Sequence, residues 1–255
     1  MPEATLPRTA EVDQSRRAPG GLLARAVPPP DDWQRGLVFP FYGCGEPVVT
    51  DGCVTSTDEP HRPTVAAFRP FQIRQGSSCS MLSRVEVTDH ALGRLDATTE
   101  WALGNQLATG TAGVGAASLA DATSLGTFTS IVEGVAALMQ AAADAGFGMP
   151  IWLHAPYGAI PVLSAFRLVV DDMLGGVAQW VFSPGYPQIG GPDEVRIWAT
   201  STVWAAVDVS QEMTNPERRQ NTAEAWAQRA GIVAFDTCVN LSADVPTRGC
   251  PPESS

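Results

Sequence analysis

The sequence predicts an α+β chain in which an extended β segment and a long helix precede a region of alternating helices and strands. Three observations carry this prediction. Short apolar runs broken by Gly, Pro and Asp-Gly fill residues 36–78. A proline-free stretch with apolar residues at helical spacing covers 82–108. From residue 130 onward, helical and strand-like periodicities alternate.

Composition narrows the class of protein. The chain has 255 residues, of which 44% are hydrophobic and 17% charged, so it is expected to bury a core. Its net charge of −11 has the wrong sign for a phosphate-binding surface. All 16 basic residues are arginine, which excludes a Walker A lysine and a Schiff-base lysine. Residues 1–25 lack the apolar core of a signal peptide, and we therefore expect synthesis and retention in a cytoplasm.

The first two segments are predicted to need a partner surface. Residues 1–35 are polar and proline-rich, which is typical of an extended arm that cannot fold alone. The β-like runs that follow, with a hairpin turn at Asp51-Gly52, form an extended excursion rather than a core. Because neither segment has an apolar face able to bury itself, residues 1–35 and about 40–78 are expected to contact mainly other copies.

The remaining elements follow from periodicity. A long helix is expected over 82–108 and a loop over 109–126. Ser130 and Glu133 form a predicted capping box for a helix over 130–146. Further predictions are a buried strand at 150–154, a short helix through Phe166, a strand at 177–182, a hairpin of 195–200 with 202–207, and strands at 232–235 and 239–245. Residues 221–230 fit a helix or an amphipathic strand, with Trp226 expected to face inward.

Candidate catalytic and metal-binding groups are few. His154 ends a predicted strand and is the candidate general base, but there is no G-x-S-x-G motif, and a structural histidine is the favoured interpretation. The acidic pairs Asp171-Asp172 and Asp193-Glu194 adjoin turn residues and are interpreted as solvated charges. No catalytic, cofactor-binding or metal-binding residue is therefore predicted.

The cysteines and tryptophans give weaker signals. The 5 cysteines show no C-x-x-C spacing and are expected to be small buried thiols, although Cys44 and Cys53 could pair in an oxidising environment. The 7 tryptophans exceed the 3 tyrosines, and tryptophan is enriched in cores and at interface hot spots. This excess fits a protein that is contacted by copies of itself.

The order of elements and several local patterns resemble the major capsid proteins of tailed phages of the Hong Kong 97 type, including those of actinobacterial phages. The order is an N-terminal arm, an extended β excursion, a long helix, an α/β region and a final β segment. The matching patterns lie at 149–156 (MPIWLHAP), 173–177 (MLGGV), 180–185 (WVFSPG), 197–204 (IWATSTVW) and 229–238 (RAGIVAFDTC).

The resemblance implies a domain division: an N-terminal arm at 1–39, an extended β loop (E-loop) at 40–78, a peripheral (P) domain with the spine helix at 79–128 and 230–255, and an axial (A) α/β domain at 129–229. It also implies self-assembly into hexamers and pentamers of an icosahedral shell that encloses DNA without sequence-specific binding and without a membrane. Scaffold, portal or decoration proteins are the further partners, and the virion, assembled in the host cytoplasm, is the location. Without lysine, the family's lysine–asparagine crosslink cannot form here.

Three alternatives stay open from the sequence. Encapsulin nanocompartment shells share the fold of the Hong Kong 97-type capsid proteins. A second alternative, from a different class, is an actinobacterial α/β hydrolytic enzyme that uses His154 with an acid from residues 171–194. The third is a monomeric binding module with a Cys44–Cys53 loop. Particle mass in solution separates a shell from the enzyme and the binding module.

Overall fold

The computed structural model describes twelve parts of the chain. These are residues 21–22, 26, 37–41, 64–68, 70–79, 84–110, 118–146, 150–170, 173–188, 193–217, 222–235 and 237–248. The middle of the predicted β excursion, with the Asp51-Gly52 turn, and most of the predicted arm lie outside these residues.

The described elements are three α-helices and twelve strands. The helices are α1 Arg84–Thr109, α2 Ile131–Gly146 and α3 Ile160–Ala165. The strands are β1 Leu37–Phe41, β2 Thr64–Phe68, β3 Phe71–Cys79, β4 Thr123–Thr127, β5 Ile151–Pro156, β6 Met173–Leu174, β7 Ala178–Ser183, β8 Glu194–Thr200, β9 Val203–Val207, β10 Gln211–Glu217, β11 Thr222–Phe235 and β12 Asn240–Pro246. The long helix, the second helix and the strand after it are confirmed.

A four-stranded sheet is organised around the long strand β11. Its first half lies between β10 and β3, and its second half pairs with β9, all antiparallel. Helix α1 packs on one face of this sheet through a small apolar cluster that includes Leu95, Ala225 and Ala227. The buried Arg229 guanidinium on β11 forms an ion pair with Asp96 on α1. Helix and sheet are thus joined by apolar contacts and by one charged contact.

A six-stranded mixed sheet, in the order β4-β12-β8-β5-β7-β6, forms the second layer. Helix α2 packs on one face, where a large cluster contains Leu138, Leu153 and Trp180. The other face is also buried, because Val181 and Trp198 belong to a different cluster together with residues of α1, β9 and β11. Both faces of the sheet are therefore buried at its central strands β5 and β7, which explains their largely apolar character, whereas the edge strand β4 is exposed.

Two glycines allow α1 to touch the turn that follows β7. A Cβ on Gly185 would lie 2.0 Å from the Trp101 carbonyl oxygen, and a Cβ on Gly104 would lie 1.9 Å from Ser183 Oγ. The Ser183 hydroxyl donates to the Glu100 carbonyl at 3.2 Å and accepts from the Gly185 N–H at 3.1 Å. We call this contact the glycine joint. It fixes the helix of the first layer to a strand end of the second.

Two expectations from the sequence are corrected, and the alternative left open at 221–230 is decided. Residues 109–126 are not only loop, since β4 pairs in parallel with β12. Strands β8 and β9 do not form a hairpin: β8 pairs with β12 and β5, whereas β9 pairs with β11 in the other sheet. The interval 221–230 is strand, as part of β11. In each case a non-local pairing decided the structure, and local periodicity carries no information about such pairings.

The capping box at the start of α2 forms in part. The Val132 N–H donates to Ser130 Oγ at 3.3 Å, so Ser130 caps the helix through the second helical residue and not through Glu133 as a capping box would. The Glu133 carboxylate instead accepts from the Thr129 hydroxyl at 3.1 Å. The hydroxyl of the preceding residue thus takes the place of the backbone donor that a complete capping box uses.

The expectation that residues 1–35 and 40–78 contact mainly other copies is wrong for two described parts. Leu22 is buried against α1 of its own chain, where its N–H donates to Glu100 Oε1 at 3.0 Å. Strand β3 belongs to the chain's own four-stranded sheet, and its Ile73 is buried there. Leu22 and Ile73 are apolar side chains that each pack in a hydrophobic cluster of the same chain. The mostly polar composition of the two segments gave no indication of these contacts.

Among the helices of the described residues, none combines the length and the hydropathy that a membrane span requires.

Candidate functional site

His154 on β5 is the residue that the sequence singled out as a candidate base. Its side chain is fully buried, with Nδ1 2.9 Å from the Tyr186 hydroxyl and Nε2 2.8 Å from Thr200 Oγ1. The Thr200 hydroxyl donates to the Ser201 carbonyl at 2.8 Å. The Thr200 oxygen must therefore accept a hydrogen bond from His154 Nε2–H. In a neutral imidazole, Nδ1 then carries no proton and accepts a hydrogen bond from the Tyr186 hydroxyl. This arrangement is that of a structural histidine joining β5, β8 and the turn after β7.

The acids proposed as partners of His154 in the enzyme alternative do not converge on it. Asp171 and Asp172 lie outside the described residues. Asp193 pairs with Arg248 at 2.5 Å, at an exposed position before β8. On β8, Trp198 is the residue opposite His154, and Glu194 lies about 13 Å away along the strand. A histidine and a carboxylate at such a separation cannot share a proton directly.

The remaining candidate metal ligands are two histidines and the 5 cysteines. His61, Cys44, Cys53 and Cys250 lie outside the described residues, as does the side chain of Cys79. Cys238 is disulfide-bonded, so the expectation of a free thiol is wrong at this position. Within the described ranges, no three His, Cys, Asp or Glu side chains come together as a metal site would require.

Glu100 on α1 links the described part of the arm to the body of the molecule. Besides holding Leu22, its carboxylate lies near the Tyr157 phenol, which stands at the start of the short turn before α3. Burial raises the pKa of Tyr157 above its ordinary value, and the Glu100 charge raises it further. The phenol therefore stays neutral to a higher pH than in an unfolded chain.

An open cleft of about 410 Å³ lies at the free edge of β3. In it the Arg94 guanidinium on α1 donates to the Gly76 carbonyl at 3.2 Å, and His90 Nδ1 lies 2.9 Å from Ser77 Oγ. The lining residues are Gly76, Ser77, Ser78, His90, Arg94, Glu224 and Trp226.

Beside the cleft, the sheet face that points away from α1 carries an exposed apolar pair. Trp226 on β11 is 40% exposed and Met213, directly opposite on β10, is 42% exposed. The Arg74 guanidinium lies 4.6 Å from the centre of the Trp226 ring. A Cβ on Gly76 would lie 2.6 Å from that ring, so glycine is what lets the indole lie on β3. We call Arg74, Gly76, Met213 and Trp226 the sheet-face patch.

The expectation that Trp226 faces inward is wrong. Side chains alternate along a strand, and the small Ala225 and Ala227 face α1, so Trp226 must face the other way. The signal was present in the sequence as a tryptophan between two alanines. A helix packed closely on a sheet favours alanine at the contact and leaves the large side chain outside.

Neither a protein-family model nor a curated protein sequence matches this chain. Solved structures do match, over nearly its whole length. The capsid of an empty GTA particle superposes with a TM-score of 0.56 at 11% identity, covering 90% of this chain and 97% of that one. A structure from Gordonia phage Cozz gives a TM-score of 0.56 at 8% identity, covering 94% and 91%. One from Mycobacterium phage Che8 gives 0.51 at 12%, covering 98% and 95%.

The chain has the Hong Kong 97-type capsid fold. The expectation drawn from the order of elements is thereby confirmed, together with the α+β class. Sequence identities of 8–12% lie far below the level at which sequence alone would show the relationship. Within this capsid fold, the sheet-face patch and its cleft are the described surface with the clearest binding chemistry, because they combine exposed aromatic, thioether and guanidinium groups.

Proposed function

We propose that this chain is the major capsid protein of a tailed phage and that it assembles with copies of itself into an icosahedral head that encloses DNA. The observation that carries the proposal is the whole-chain match to the capsid of a GTA particle, which leaves little of either chain unaccounted for. The matches to structures from Gordonia and Mycobacterium phages favour a phage head over a nanocompartment shell. Hexamers and pentamers of the chain would form the shell.

The character of the described surface and core supports this proposal. The potentially reactive side chain of His154 is buried. Exposed side chains, by contrast, include large apolar ones such as Trp101 and Trp226. Exposed aromatic side chains are typical of surfaces that bind another protein. The net charge of −11 keeps the wall of a DNA container from binding its contents, since phosphates are repelled.

The domain division stays a prediction of the resemblance within this proposal: an arm at 1–39, an extended loop at 40–78, a peripheral domain at 79–128 and 230–255, and an axial domain at 129–229. Helix α1 packs on the four-stranded sheet and α2 on the six-stranded sheet, but each sheet takes strands from both sides of the predicted boundaries, namely β9 and β10 in the first and β4 and β12 in the second. Scaffold, portal and decoration proteins, and assembly in a host cytoplasm, belong to the same proposal.

Mass in solution tests the proposed function. The purified full-length chain is expected to form closed particles of megadalton mass, seen as discrete fast-sedimenting species and as uniform shells in negative-stain images. The reference is the same chain in 4 M urea, which should sediment as a monomer. A chain that stays monomeric or forms only small oligomers across a range of concentration and salt contradicts the proposal.

A further inference from the structure

We propose that Cys238 forms its disulfide with Cys44 or Cys53 and that this bond ties the stretch between β1 and β2 to the body of the same chain. We call residues 42–63, which join these two strands, the β1–β2 segment. Cys238 lies half-buried in the turn between β11 and β12, and it is disulfide-bonded. The reach of the backbone decides which of the 5 cysteines is its partner. The pairing is a property of the single chain, and its consequence for a shell rests on the proposed function.

Cys79 lies at the wrong end of the four-stranded sheet to be this partner. On β3, its backbone is opposite Ala223, near the start of β11. From Ala223 to Phe235, the last residue of that strand, the backbone spans about 40 Å. Cys238 follows within about 10 Å of Phe235. The Cα atoms of Cys79 and Cys238 are therefore more than about 20 Å apart, whereas a disulfide requires less than about 7 Å.

Cys250 lies beyond the far end of β12. Asn240 begins that strand, just after Cys238. At the other end, the Thr247 N–H donates to the Asp193 carbonyl at 2.6 Å, which continues the strand direction past its last residue. Asn240 and Thr247 are thus about 23 Å apart. Cys238 and Cys250 could meet only if both flanking stretches doubled back fully extended along β12, but β4 and β8 occupy its two edges and α2 contacts it.

The β1–β2 segment starts from the end of β11 that Cys238 follows. Strand β3 runs antiparallel to β11 with Phe71 opposite Gly231, so the chain enters β3 near the C-terminal end of β11. Strand β2, which precedes β3, contacts β11. Gly231 and Cys238 are at most about 25 Å apart, and the chain from Phe41 to Cys53 extends up to about 40 Å. The segment therefore has the reach to bring a cysteine to Cys238.

Formation of the bond is a two-electron oxidation, for which a small-molecule disulfide is the oxidant. The thiolate of the segment's cysteine attacks this disulfide, forms a mixed disulfide and releases one small thiolate. The Cys238 thiolate then attacks the segment's sulfur and releases the second small thiolate. The two protein thiols thus lose two electrons and two protons, and two small thiols form. Because a cytoplasm keeps thiols reduced, the bond of a phage head would form after release from the host.

The bond gives this chain a covalent reinforcement that needs no amine. All 16 basic residues are arginine, so a lysine crosslink is chemically excluded, whereas thiols are present. Closing so long a stretch of chain removes conformational freedom from the unfolded state and so stabilises the folded one. In a shell, each subunit would then hold its own β1–β2 segment covalently. The pairing also uses a cysteine that the Cys44–Cys53 loop of the binding-module alternative requires, so the two cannot coexist.

A disulfide map of the full-length chain tests the pairing. The purified chain is equilibrated with glutathione disulfide, its free thiols are blocked with a maleimide in urea, and it is cleaved before aspartate without reduction. Asp51 lies between Cys44 and Cys53, so this cleavage separates the two candidate partners. Mass spectrometry is expected to show a peptide containing Cys238 joined to one of them, and the pair should separate on reduction.

The other cysteines and a gel provide the controls for this map. Cys79 and Cys250 are expected to carry the maleimide. Without reductant, the band in SDS is expected at monomer mass, because the bond lies within one chain. A blocked Cys238, a link from Cys238 to Cys79 or Cys250, or a dimer that dissociates on reduction overturns the proposal.

Urea unfolding of the oxidised chain measures what the bond contributes. Cys238→Ser is expected to lower the urea midpoint by about 1 M, because the unfolded chain is then no longer closed into a loop. The matched control Cys250→Ser makes the same chemical change and should leave the midpoint within about 0.2 M of the unmodified chain. A reductant should lower the midpoint of the unmodified chain to that of Cys238→Ser and leave that variant unchanged. Equal midpoints for the two variants overturn the proposal.

The outcomes separate this inference from the proposed function. The map is read on unfolded, blocked chains, so it does not depend on the formation of shells. A chain that shows the bond but forms no shells contradicts the capsid function and leaves the pairing standing. Shells whose Cys238 is blocked by the maleimide after oxidation overturn the pairing and leave the capsid function standing.

Discussion

The six-stranded sheet and the first half of β11 differ in how many of their faces the chain itself covers. In the six-stranded sheet, Trp180 packs under α2 while Trp198 packs on the opposite side, and both are nearly inaccessible. In the four-stranded sheet, α1 covers one face through alanines, and Trp226 stays exposed on the other. The comparison teaches that, among the described residues, the chain covers both faces of the centre of one sheet but only one face of the other.

Substitution at the glycine joint should have the largest effect on the stability of the chain, because it separates the two layers. Gly185→Ala places a methyl group 2.0 Å from a backbone oxygen and 2.4 Å from a backbone nitrogen of α1, and neither atom can move alone. We expect a loss of about 3 kcal/mol or more in unfolding free energy, measured by urea titration.

Gly93→Ala on the same helix is the matched control for the joint. A Cβ at this position meets no atom within 4 Å, so the substitution should stabilise the helix by up to about 1 kcal/mol. If Gly185→Ala proves as harmless as Gly93→Ala, the two layers are not joined by this contact.

Substitution of the buried His154 should have the next largest effect on stability. Its hydrogen bonds lie within the six-stranded sheet and the turn after β7. His154→Ala leaves the hydroxyls of Tyr186 and Thr200 without their buried partner, at a cost of about 2–3 kcal/mol in unfolding free energy. Tyr186→Phe removes only one hydrogen bond and should cost about 1 kcal/mol. The same denaturation curves measure both. Hydrolytic turnover that disappears in His154→Ala would instead support the enzyme alternative.

The two faces of β11 should respond differently to substitution, and this sharpens the comparison directly. Ala227→Leu adds volume under α1 and is expected to destabilise the chain by about 1–3 kcal/mol. Trp226→Tyr, one residue away on the open face, keeps an aromatic ring on the strand and should change the unfolding free energy of the unassembled chain by less than about 1 kcal/mol. Equal effects at the two positions would mean that the open face is covered within the chain.

The smallest expected effect concerns alkaline pH. The pKa of Tyr157 is raised in the folded chain, first by burial and then by Glu100, so folding favours the protonated phenol. The contribution of the protonated Tyr157 phenol to the unfolding free energy is therefore fully present below the unfolded pKa of about 10. It is lost as pH rises through and above that value. Tyr157→Phe should make stability less dependent on pH between about 9 and 11. An unchanged slope of stability against pH would show that Tyr157 ionises as freely in the folded chain as in the unfolded one.

The parts of the fold that sequence could predict are those with local signals. Helix α1 and helix α2 follow from apolar spacing and from the cap at Ser130, and β5 from a buried run before Pro156. The pairings of β8 and β9 could not be predicted, because strands adjacent in sequence entered different sheets. Their partners, β12 and β11, lie tens of residues further along the chain.

The candidate surface could be predicted from the sequence less well than the fold. Trp226 was expected inside because tryptophan is usually buried, while the alternation with Ala225 and Ala227 pointed outward once the segment was known to be strand. The role of Gly76 required the knowledge that β3 lies next to β11 at this point. For His154 the interpretation as a structural histidine stays a prediction, which the hydrogen bonds from two hydroxyls to its ring nitrogens support.

Strand β11 has a mechanical consequence. Over its length it is hydrogen-bonded to β10, β3 and β9, and at its second half it enters the cluster shared with the six-stranded sheet. A pull along such a strand loads many backbone hydrogen bonds at once, in shear, rather than one after another as in unzipping. Tension applied to the first half of β11 would thus be transmitted along the strand to Val233 and Phe235, which pack against residues of the six-stranded sheet.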